Sequence, residues 1–260
     1  MRIHRVLTLL PFAVEGGCSR EAPPPPQNVV VEPRAPVVAP PVEVRVDAVD
    51  VPGDLPAFVL RGATGGEHAV FIHGMCAHAQ GFMQSFQFAA SRYGTLVGIQ
   101  GDVDCGGGLR RWSSDLGAME RRLRVALQVS GVGDPPRLTL IGYSQGAERI
   151  EWLHAKHPTR YPRLVFMSGP ISPRPDRLRG AESVALLAGT REGQTLMREA
   201  ATALPKHGIR ASYFPLPFAR HGEMGTEAET ALGNALKWFD EPKSTPKAAE
   251  GLSHSDTIAR

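Results

Sequence analysis

The segment LTLIGYSQGAERIEWL, residues 138–153, changes its hydrophobic pattern abruptly at Ser144. A short, continuous apolar run precedes this serine, which is typical of a β-strand buried on both faces of a parallel sheet. The residues after it have helical spacing, so the pattern predicts a strand that turns directly into a helix. Glycines stand two positions before and after the serine, at Gly142 and Gly146. Because G-x-S-x-G also arises by chance, its meaning depends on the rest of the chain.

The surrounding apolar runs predict an α/β fold with a mostly parallel sheet. Short runs rich in Val, Ile and Leu, each followed by glycine or another small residue, occupy 69–74, 95–101, 137–144, 163–169 and 183–189, and a last strand is predicted at 210–217. Helical spacings separate or follow them at 79–93, 113–130, 147–157, 193–208 and 226–240. Because strands and helices alternate, we expect right-handed crossovers and helices on both faces of the sheet. Segments 42–49 and 56–62 flank a Pro-Gly-Asp turn and predict an N-terminal antiparallel hairpin.

The two ends of the chain differ in composition from its middle. Residues 1–18 have Arg2 and Arg5 before an apolar core, which is typical of a bacterial secretory signal peptide. Residues 19–42 are rich in proline and predict a disordered, extended linker. Residues 242–260 are polar and predict a disordered tail. The segment 43–241 is therefore the predicted folded domain, and it is long enough for one hydrophobic core.

Cys18 is a candidate lipidation site. The residues before it resemble the signal of bacterial lipoproteins, in which the cysteine after the cleavage site receives lipid. Gly16 and Gly17 match that signal, whereas Glu15 stands where it has an aliphatic residue. We therefore expect an exported protein that is periplasmic, attached to the outer membrane through Cys18, or otherwise secreted. An uncleaved N-terminus with an apolar patch is the alternative.

Charge and motif content argue against several kinds of partner. The net charge is only +3, and Arg110 and Arg111 beside Trp112 are a single basic pair rather than a basic stripe, so we expect no nucleic-acid partner. No apolar run is long enough for a transmembrane helix. No CxxC or HxxxH spacing indicates a metal site, and we expect neither a metal nor a cofactor. Arg110, Arg111 and Trp112 either face a leaving group or simply lead into the next helix.

Four residues with catalytic chemistry fall just past the C-terminal ends of predicted strands: His73, Ser144, Glu192 and His221. In an open parallel sheet, ligands bind beyond the carboxyl ends of the strands, so this position favours a common site. A serine hydroxyl is a poor nucleophile near neutral pH. It needs a base within hydrogen-bond reach and a third group that orients the base.

These features resemble the α/β-hydrolase superfamily over nearly all of the predicted domain. GYSQG is similar to the nucleophile elbow of small carboxylesterases, acyl-protein thioesterases and cutinases, in which the chain order is Ser, acid, His. The resemblance implies that Ser144 is the nucleophile and that His221, after the last strand, is the base. It places the acid three residues beyond Gly189, at Glu192. Asp176, one strand earlier, is the alternative acid.

The same resemblance implies an oxyanion hole made by the backbone amides of Gln145 and Met75, with His73 supporting the loop geometry. Cys76 adjoins that loop, and Cys105 lies in the loop after the next strand. Export implies an oxidising compartment, so the sequence predicts a Cys76–Cys105 disulfide, with two unpaired buried cysteines as the alternative.

The predicted function is that of a monomeric serine hydrolase with a small-molecule acyl substrate, which forms an acyl-enzyme from carboxylic esters or thioesters. The segment after 169 is short, so we expect an open site without a lid. An acyltransferase or an amidase or peptidase that uses the same residues is one alternative. A catalytically inactive binding domain with the same fold is the other.

Overall fold

The computed structural model describes residues 43–62 and 66–242. Three predicted segments lie outside the described residues and stay predictions. They are the signal peptide 1–18 with Cys18, the linker 19–42 and the tail 242–260, of which only Pro242 is described. Within the described part of the chain, no helix is long and apolar enough to cross a membrane.

The described residues form ten strands, eight of which belong to one mixed sheet. In chain order the strands are β1 Val46–Val49, β2 Ala57–Leu60, β3 Glu67–Ile72, β4 Gly94–Ile99, β5 Val103–Gly106, β6 Leu109–Arg111, β7 Thr139–Tyr143, β8 Arg163–Met167, β9 Ser183–Gly189 and β10 Ala211–Leu216. The order in the sheet is β1-β2-β4-β3-β7-β8-β9-β10, and β5 pairs with β6 separately. The β1–β2 hairpin is antiparallel and β2 is antiparallel to β4, whereas the other neighbours in the large sheet are parallel. The predicted fold class is confirmed.

Helices cover both faces of this sheet. They are α1 Ala79–Gln84, α2 Gln87–Tyr93, α3 Leu116–Val129, α4 Gln145–Lys156, α5 Thr195–Ala203 and α6 Ala228–Trp238, with a 3₁₀ turn at Leu204–His207. Helices α3, α4 and α5 contribute to one apolar core, and α1, α2 and α6 contribute to the other. Within β7, Leu140 belongs to the first core and Ile141 to the second. The continuous apolar run of β7 therefore reflects burial on both faces.

The structure differs from the predicted elements at three places. The predicted helix 79–93 is divided into α1 and α2 at Phe86, whose backbone leaves the helical region so that its ring packs 5.5 Å from that of Phe71. The predicted helix 193–208 ends as a 3₁₀ turn, where Pro205 has no amide hydrogen for an α-helical bond. The predicted loop after residue 101 contains the β5–β6 ribbon. Most of its residues are exposed or partly exposed, so no apolar run marks it in the sequence.

Candidate active site

Ser144 lies on a sharp turn between β7 and α4. Its backbone has φ 49° and ψ −117°, a strained conformation for a residue with a side chain, and its amide donates to the Met167 carbonyl over 2.8 Å. A Cβ atom at Gly142 would stand 2.5 Å from the Gly146 oxygen, and one at Gly146 would stand 1.9 Å from the Ile72 oxygen. Both glycines are therefore required by close backbone approach, which explains their spacing around the serine.

The structure brings Ser144, His221 and Glu192 together in one hydrogen-bonded chain. Ser144 Oγ lies 3.0 Å from His221 Nε2, and His221 Nδ1 lies 2.8 Å from Glu192 Oε2. A carboxylate only accepts, so its position makes Nδ1 the protonated nitrogen and leaves Nε2 free to accept the serine proton. The Glu192 side chain is 10% exposed and the His221 side chain 54%, so the carboxylate is sheltered while the imidazole faces the solvent side.

Ser168 holds the second oxygen of Glu192 and was not identified from the sequence. Glu192 Oε1 accepts from Ser168 Oγ over 2.5 Å and from the Gly189 amide over 2.6 Å. Ser168 directly follows β8 and has φ 51°, close to the 49° of Ser144 after β7. Its place at the C-terminal end of a buried strand was the only sequence signal for it. These two donors fix the carboxylate and turn Oε2 towards His221.

Tyr143, which precedes Ser144, holds the loop that carries His221. Its hydroxyl accepts from the Gly222 amide over 2.6 Å, and its ring centroid lies 5.7 Å from that of His221 and 4.6 Å from that of Phe82. Burial raises the pKa of the Tyr143 hydroxyl, and a hydrogen bond with Ser168 opposes that shift. Tyr143 thus connects the turns at Ser144 and Ser168 to the loop that carries His221. The motif G-x-S-x-G does not indicate this role, because it leaves the residue before the serine unspecified.

Asp176, the alternative acid, is turned away from this chain of hydrogen bonds. It pairs with Arg174 over 2.7 Å on the surface, and the Arg174 side chain lowers the pKa of the Asp176 carboxyl. The Arg174 amide in turn donates to Glu151 of α4 over 3.0 Å. The carboxylate that contacts His221 is Glu192.

The loop that contains Met75 packs against Ser144. A Cβ atom at Gly74 would stand 3.1 Å from the Ser144 Cβ, so this backbone lies directly beside the serine. Gln145 opens α4, and its side chain exchanges two 3.0 Å hydrogen bonds with the Trp112 backbone. The Gln145 amide directly follows Ser144 at the positive, N-terminal end of α4, and the Met75 amide directly follows Gly74. Their use as oxyanion donors stays a prediction.

His73 supports the loop that contains Met75 through hydrogen bonds of its ring and of its backbone carbonyl. It is fully buried, its Nδ1 lies 2.7 Å from the Gly74 oxygen, and its Nε2 accepts from the Gly101 amide over 2.9 Å. Trp112 Nε1 donates to the His73 carbonyl over 2.8 Å. Burial disfavours the charged ring and lowers the pKa of His73 to about 4. The contacts agree with the expected role of His73 in loop geometry.

The pKa of His73 makes acid destabilisation an expected result. Because the folded-state pKa is about 4 and the ordinary value is 6.5, the neutral ring stabilises the fold fully above pH 6.5, and this contribution is lost as the pH falls towards 4. The difference corresponds to about 3 kcal/mol. Urea unfolding at pH 7 and pH 4 should show a smaller pH dependence for His73→Phe than for the unaltered chain. Equal pH dependence in both would contradict this assignment.

Cys76 and Cys105 are joined by a disulfide, with Cα atoms 5.5 Å apart. The bond connects the Met75 loop to the β5–β6 ribbon. Backbone hydrogen bonds of 3.0 Å in both directions between Ala77 and Arg110 join the same two segments. The ribbon and the disulfide together brace the loop that packs on Ser144.

Removing this disulfide should lower both stability and turnover. For a crosslink between residues 29 apart, the Cys76→Ser, Cys105→Ser double variant should lose about 3 kcal/mol of unfolding free energy. We expect kcat to fall more than KM rises, because the loop beside Ser144 loses its brace. Thermal unfolding and steady-state kinetics would measure both effects. Reaction of Cys76 or Cys105 with a thiol reagent in the unreduced, folded chain would contradict the disulfide itself.

Arg110 and Trp112 do not face a leaving group, which corrects one of the two interpretations of that segment. The Arg110 guanidinium donates to the backbone oxygens of Gly101 and Asp102 over 3.0 Å, and Trp112 is buried. Arg111 is exposed at the end of β6. The two basic residues and the tryptophan therefore belong to the ribbon and its junction with the sheet.

A cleft of about 510 Å³ opens beside Ser144 and His221. It lies between the Met75 loop, α1 and the loop after His221. The segment 169–182 does not line it, because that segment is fixed on α4 by the buried Leu178 and by a 3.2 Å contact between His154 Nε2 and the Arg179 oxygen. Among the described residues, no cluster of side chains has the composition of a metal site.

Solved structures of several hydrolases are similar to this domain. The naproxen esterase (carboxylesterase NP) of Bacillus subtilis superposes with a TM-score of 0.56 at 12% identity, over 77% of this chain and 93% of its own. Carboxylesterase CesB of the same organism gives 0.53 at 15% identity, over 77% and 93%. A predicted CIB-like hydrolase of Thermoplasma acidophilum gives 0.55 at 13% identity, over 75% and 97%. No protein-family model and no curated protein matches the sequence. Identities this low show a shared fold.

Proposed function

We propose that this chain, which has the α/β-hydrolase fold, is a serine hydrolase that cleaves carboxylic esters or thioesters through an acyl-enzyme intermediate. The observation that carries the proposal is the chain of hydrogen bonds from Ser144 through His221 to Glu192, with distances of 3.0 and 2.8 Å. Nucleophile, base and orienting acid are thus in mutual reach beside an open cleft. The likeness in fold to carboxylesterases supports the same reaction class.

In the acylation step, Ser144 Oγ attacks the carbonyl carbon of the substrate while His221 Nε2 accepts the serine proton. Glu192 stabilises the imidazolium that forms and keeps its Nδ1 hydrogen in place. The amides of Met75 and Gln145 donate to the negative oxygen of the tetrahedral intermediate. The bond to the alcohol or thiol then breaks, and the leaving group takes the proton from His221 Nε2.

In the deacylation step, a water molecule enters the open cleft and loses a proton to His221 Nε2 as its oxygen attacks the acyl carbon. The bond between the acyl carbon and Ser144 Oγ breaks, the carboxylic acid leaves, and Ser144 recovers its proton. The absence of segment 169–182 from the cleft lining leaves the site open to solvent, which favours water over another acyl acceptor.

Stopped-flow kinetics with para-nitrophenyl butyrate tests the acyl-enzyme route. We expect a burst of about one equivalent of nitrophenol per active site when acylation is faster than deacylation, followed by steady turnover. The corresponding para-nitroanilide should react much more slowly. Faster cleavage of the anilide would favour an amidase, and ester aminolysis that outruns hydrolysis at low amine concentration would favour an acyltransferase. A folded chain that turns over none of these substrates would favour an inactive binding domain.

We also propose that the protein works in an oxidising compartment after export. The Cys76–Cys105 disulfide supports this, because such bonds persist mainly outside the reducing cytoplasm. Attachment through a lipid on Cys18 is part of the same proposal. Metabolic labelling with a radioactive fatty acid, compared between the full chain and Cys18→Ser, tests it. Equal labelling of both would exclude lipid on that residue.

A further inference from the structure

The walls of the cleft beside Ser144 are mostly apolar. Its lining includes Met75, Phe82, Leu109 and Met224, and Met75 is 60% exposed to solvent. Its volume of about 510 Å³ is within the usual range for sites that bind small organic molecules. These walls suit the hydrocarbon part of an acyl or alcohol group, whose transfer out of water they would favour.

Glu223 brings a negative charge into this apolar cleft. It follows His221 by two residues, is exposed to solvent and lines the cleft. Its Oε2 accepts from the Arg220 amide over 3.3 Å, which fixes the carboxylate relative to the loop. Its charge is also one of the minor contributions that raise the pKa of Tyr143.

No positive side chain offsets Glu223 within the cleft. Among the described residues that line it, none is lysine or arginine. His78 is the remaining basic group besides His221, and burial lowers the pKa of His78, so its ring is neutral near pH 7. Glu223 therefore adds a negative charge that no lysine or arginine of the described lining offsets, although the whole chain carries a net charge of +3. A preference against anions would come from the cleft and not from the overall charge.

We infer that the cleft accepts apolar substrate groups that are uncharged or cationic, and that Glu223 rejects those that carry a carboxylate or phosphate. The inference rests on the proposed ester hydrolysis by Ser144. A like charge within several ångströms of Glu223 raises the free energy of the bound substrate and its transition state together. Its effect on turnover therefore appears in kcat/KM. Glu223 is a specificity-determining residue and takes no part in bond making.

Three para-nitrophenyl esters of equal chain length test this inference. They are the hexanoate, the monoester of adipic acid with its free terminal carboxylate, and the ω-trimethylammonio hexanoate. At low ionic strength we expect kcat/KM for the adipate to be lower than for the hexanoate by about tenfold, and the cationic ester to react at least as well as the hexanoate. Each kcat/KM is divided by the rate constant for hydrolysis of the same ester by hydroxide. This ratio corrects for differences in intrinsic reactivity between the esters.

The Glu223→Gln variant should bring the kcat/KM values of the adipate and the hexanoate to within about twofold of each other. Glu199→Gln is the matched control, because Glu199 is exposed on α5 outside the cleft and its loss changes the net charge equally. Equal discrimination in the unaltered chain and Glu223→Gln, or equal loss in Glu199→Gln, would overturn the role of Glu223.

A binding experiment separates failure of this inference from failure of the proposed function. Ligand-observed NMR on Ser144→Ala, with hexyltrimethylammonium and hexanoate as probes, needs no turnover. Stronger binding of the ammonium, lost in the Ser144→Ala, Glu223→Gln double variant, supports the charge preference even if no ester is cleaved. Equal binding of the two probes, or stronger binding of hexanoate, overturns it even if neutral esters are cleaved.

Discussion

Replacing Ser144 by alanine is expected to lower kcat for para-nitrophenyl esters by about 10⁴-fold or more, because the proposed acyl-enzyme forms on the hydroxyl of this residue. The hydroxyl is the only part of the side chain that is removed, and Gly142 and Gly146 still permit the sharp turn. The midpoint of thermal unfolding should therefore change little. Steady-state kinetics with the full chain measures the first quantity and circular dichroism the second.

Ser114→Ala is a suitable control, since Ser114 is an exposed serine ahead of α3 and outside the cleft. Its kcat should equal that of the unaltered chain. Residual activity of Ser144→Ala above about one-hundredth of the original would contradict a covalent mechanism at this serine.

Replacing Glu192 by glutamine should lower kcat by about 10³- to 10⁴-fold without loss of the fold. Ser168 Oγ and the Gly189 amide both donate to Oε1, so the glutamine oxygen must occupy that position. The glutamine NH₂ group then faces His221 Nδ1 and can only donate to it. This stabilises the tautomer with hydrogen on Nε2, which cannot accept the proton of Ser144.

Asp176→Asn is the matched substitution for this prediction. Asp176 pairs with Arg174 on the surface and does not contact His221, so its loss should leave kcat within about twofold. The kcat of both variants, measured at a pH where the unaltered chain is most active, decides between the two acids. A larger loss in Asp176→Asn than in Glu192→Gln would assign the acid to the other residue.

Ser168→Ala extends the same argument to a residue that the sequence did not reveal. Oε1 of Glu192 would keep the Gly189 amide and lose the serine hydroxyl, so we expect kcat to fall by about tenfold, with KM little changed. The midpoint of thermal unfolding, measured beside kcat, separates this effect from a loss of the fold. An unchanged kcat in Ser168→Ala would contradict a role for the hydrogen bond.

The features that the sequence reveals are those encoded locally. The apolar run before Ser144 predicts a strand buried on both faces because burial of β7 excludes polar side chains from both of its sides. The glycines around that serine are visible as a motif because their close backbone contacts tolerate no Cβ atom. Glu192 and His221 could be proposed because each follows a strand end in the order that the resemblance requires.

The remaining features depend on contacts between distant parts of the chain. Ser168 meets Glu192 across 24 residues, and Tyr143 meets Gly222 across 79, so no local pattern marks either one. No residue of β5 or β6 is buried, and the disulfide and the Ala77–Arg110 backbone bonds join this ribbon to the loop that contains Met75. The division between α1 and α2 follows from how the Phe86 ring reaches the sheet, which helical spacing alone does not predict.

The most direct measurement on the central claim is peptide mapping by mass spectrometry after treatment of the folded, full-length chain with a fluorophosphonate. Such probes react with a serine that an adjacent base activates. The predicted result is one adduct per chain, carried by Ser144 and absent from Ser144→Ala and strongly reduced in Glu192→Gln. Labelling of another residue, or no labelling of a chain whose fold is intact, would contradict the assignment of Ser144 as an activated nucleophile.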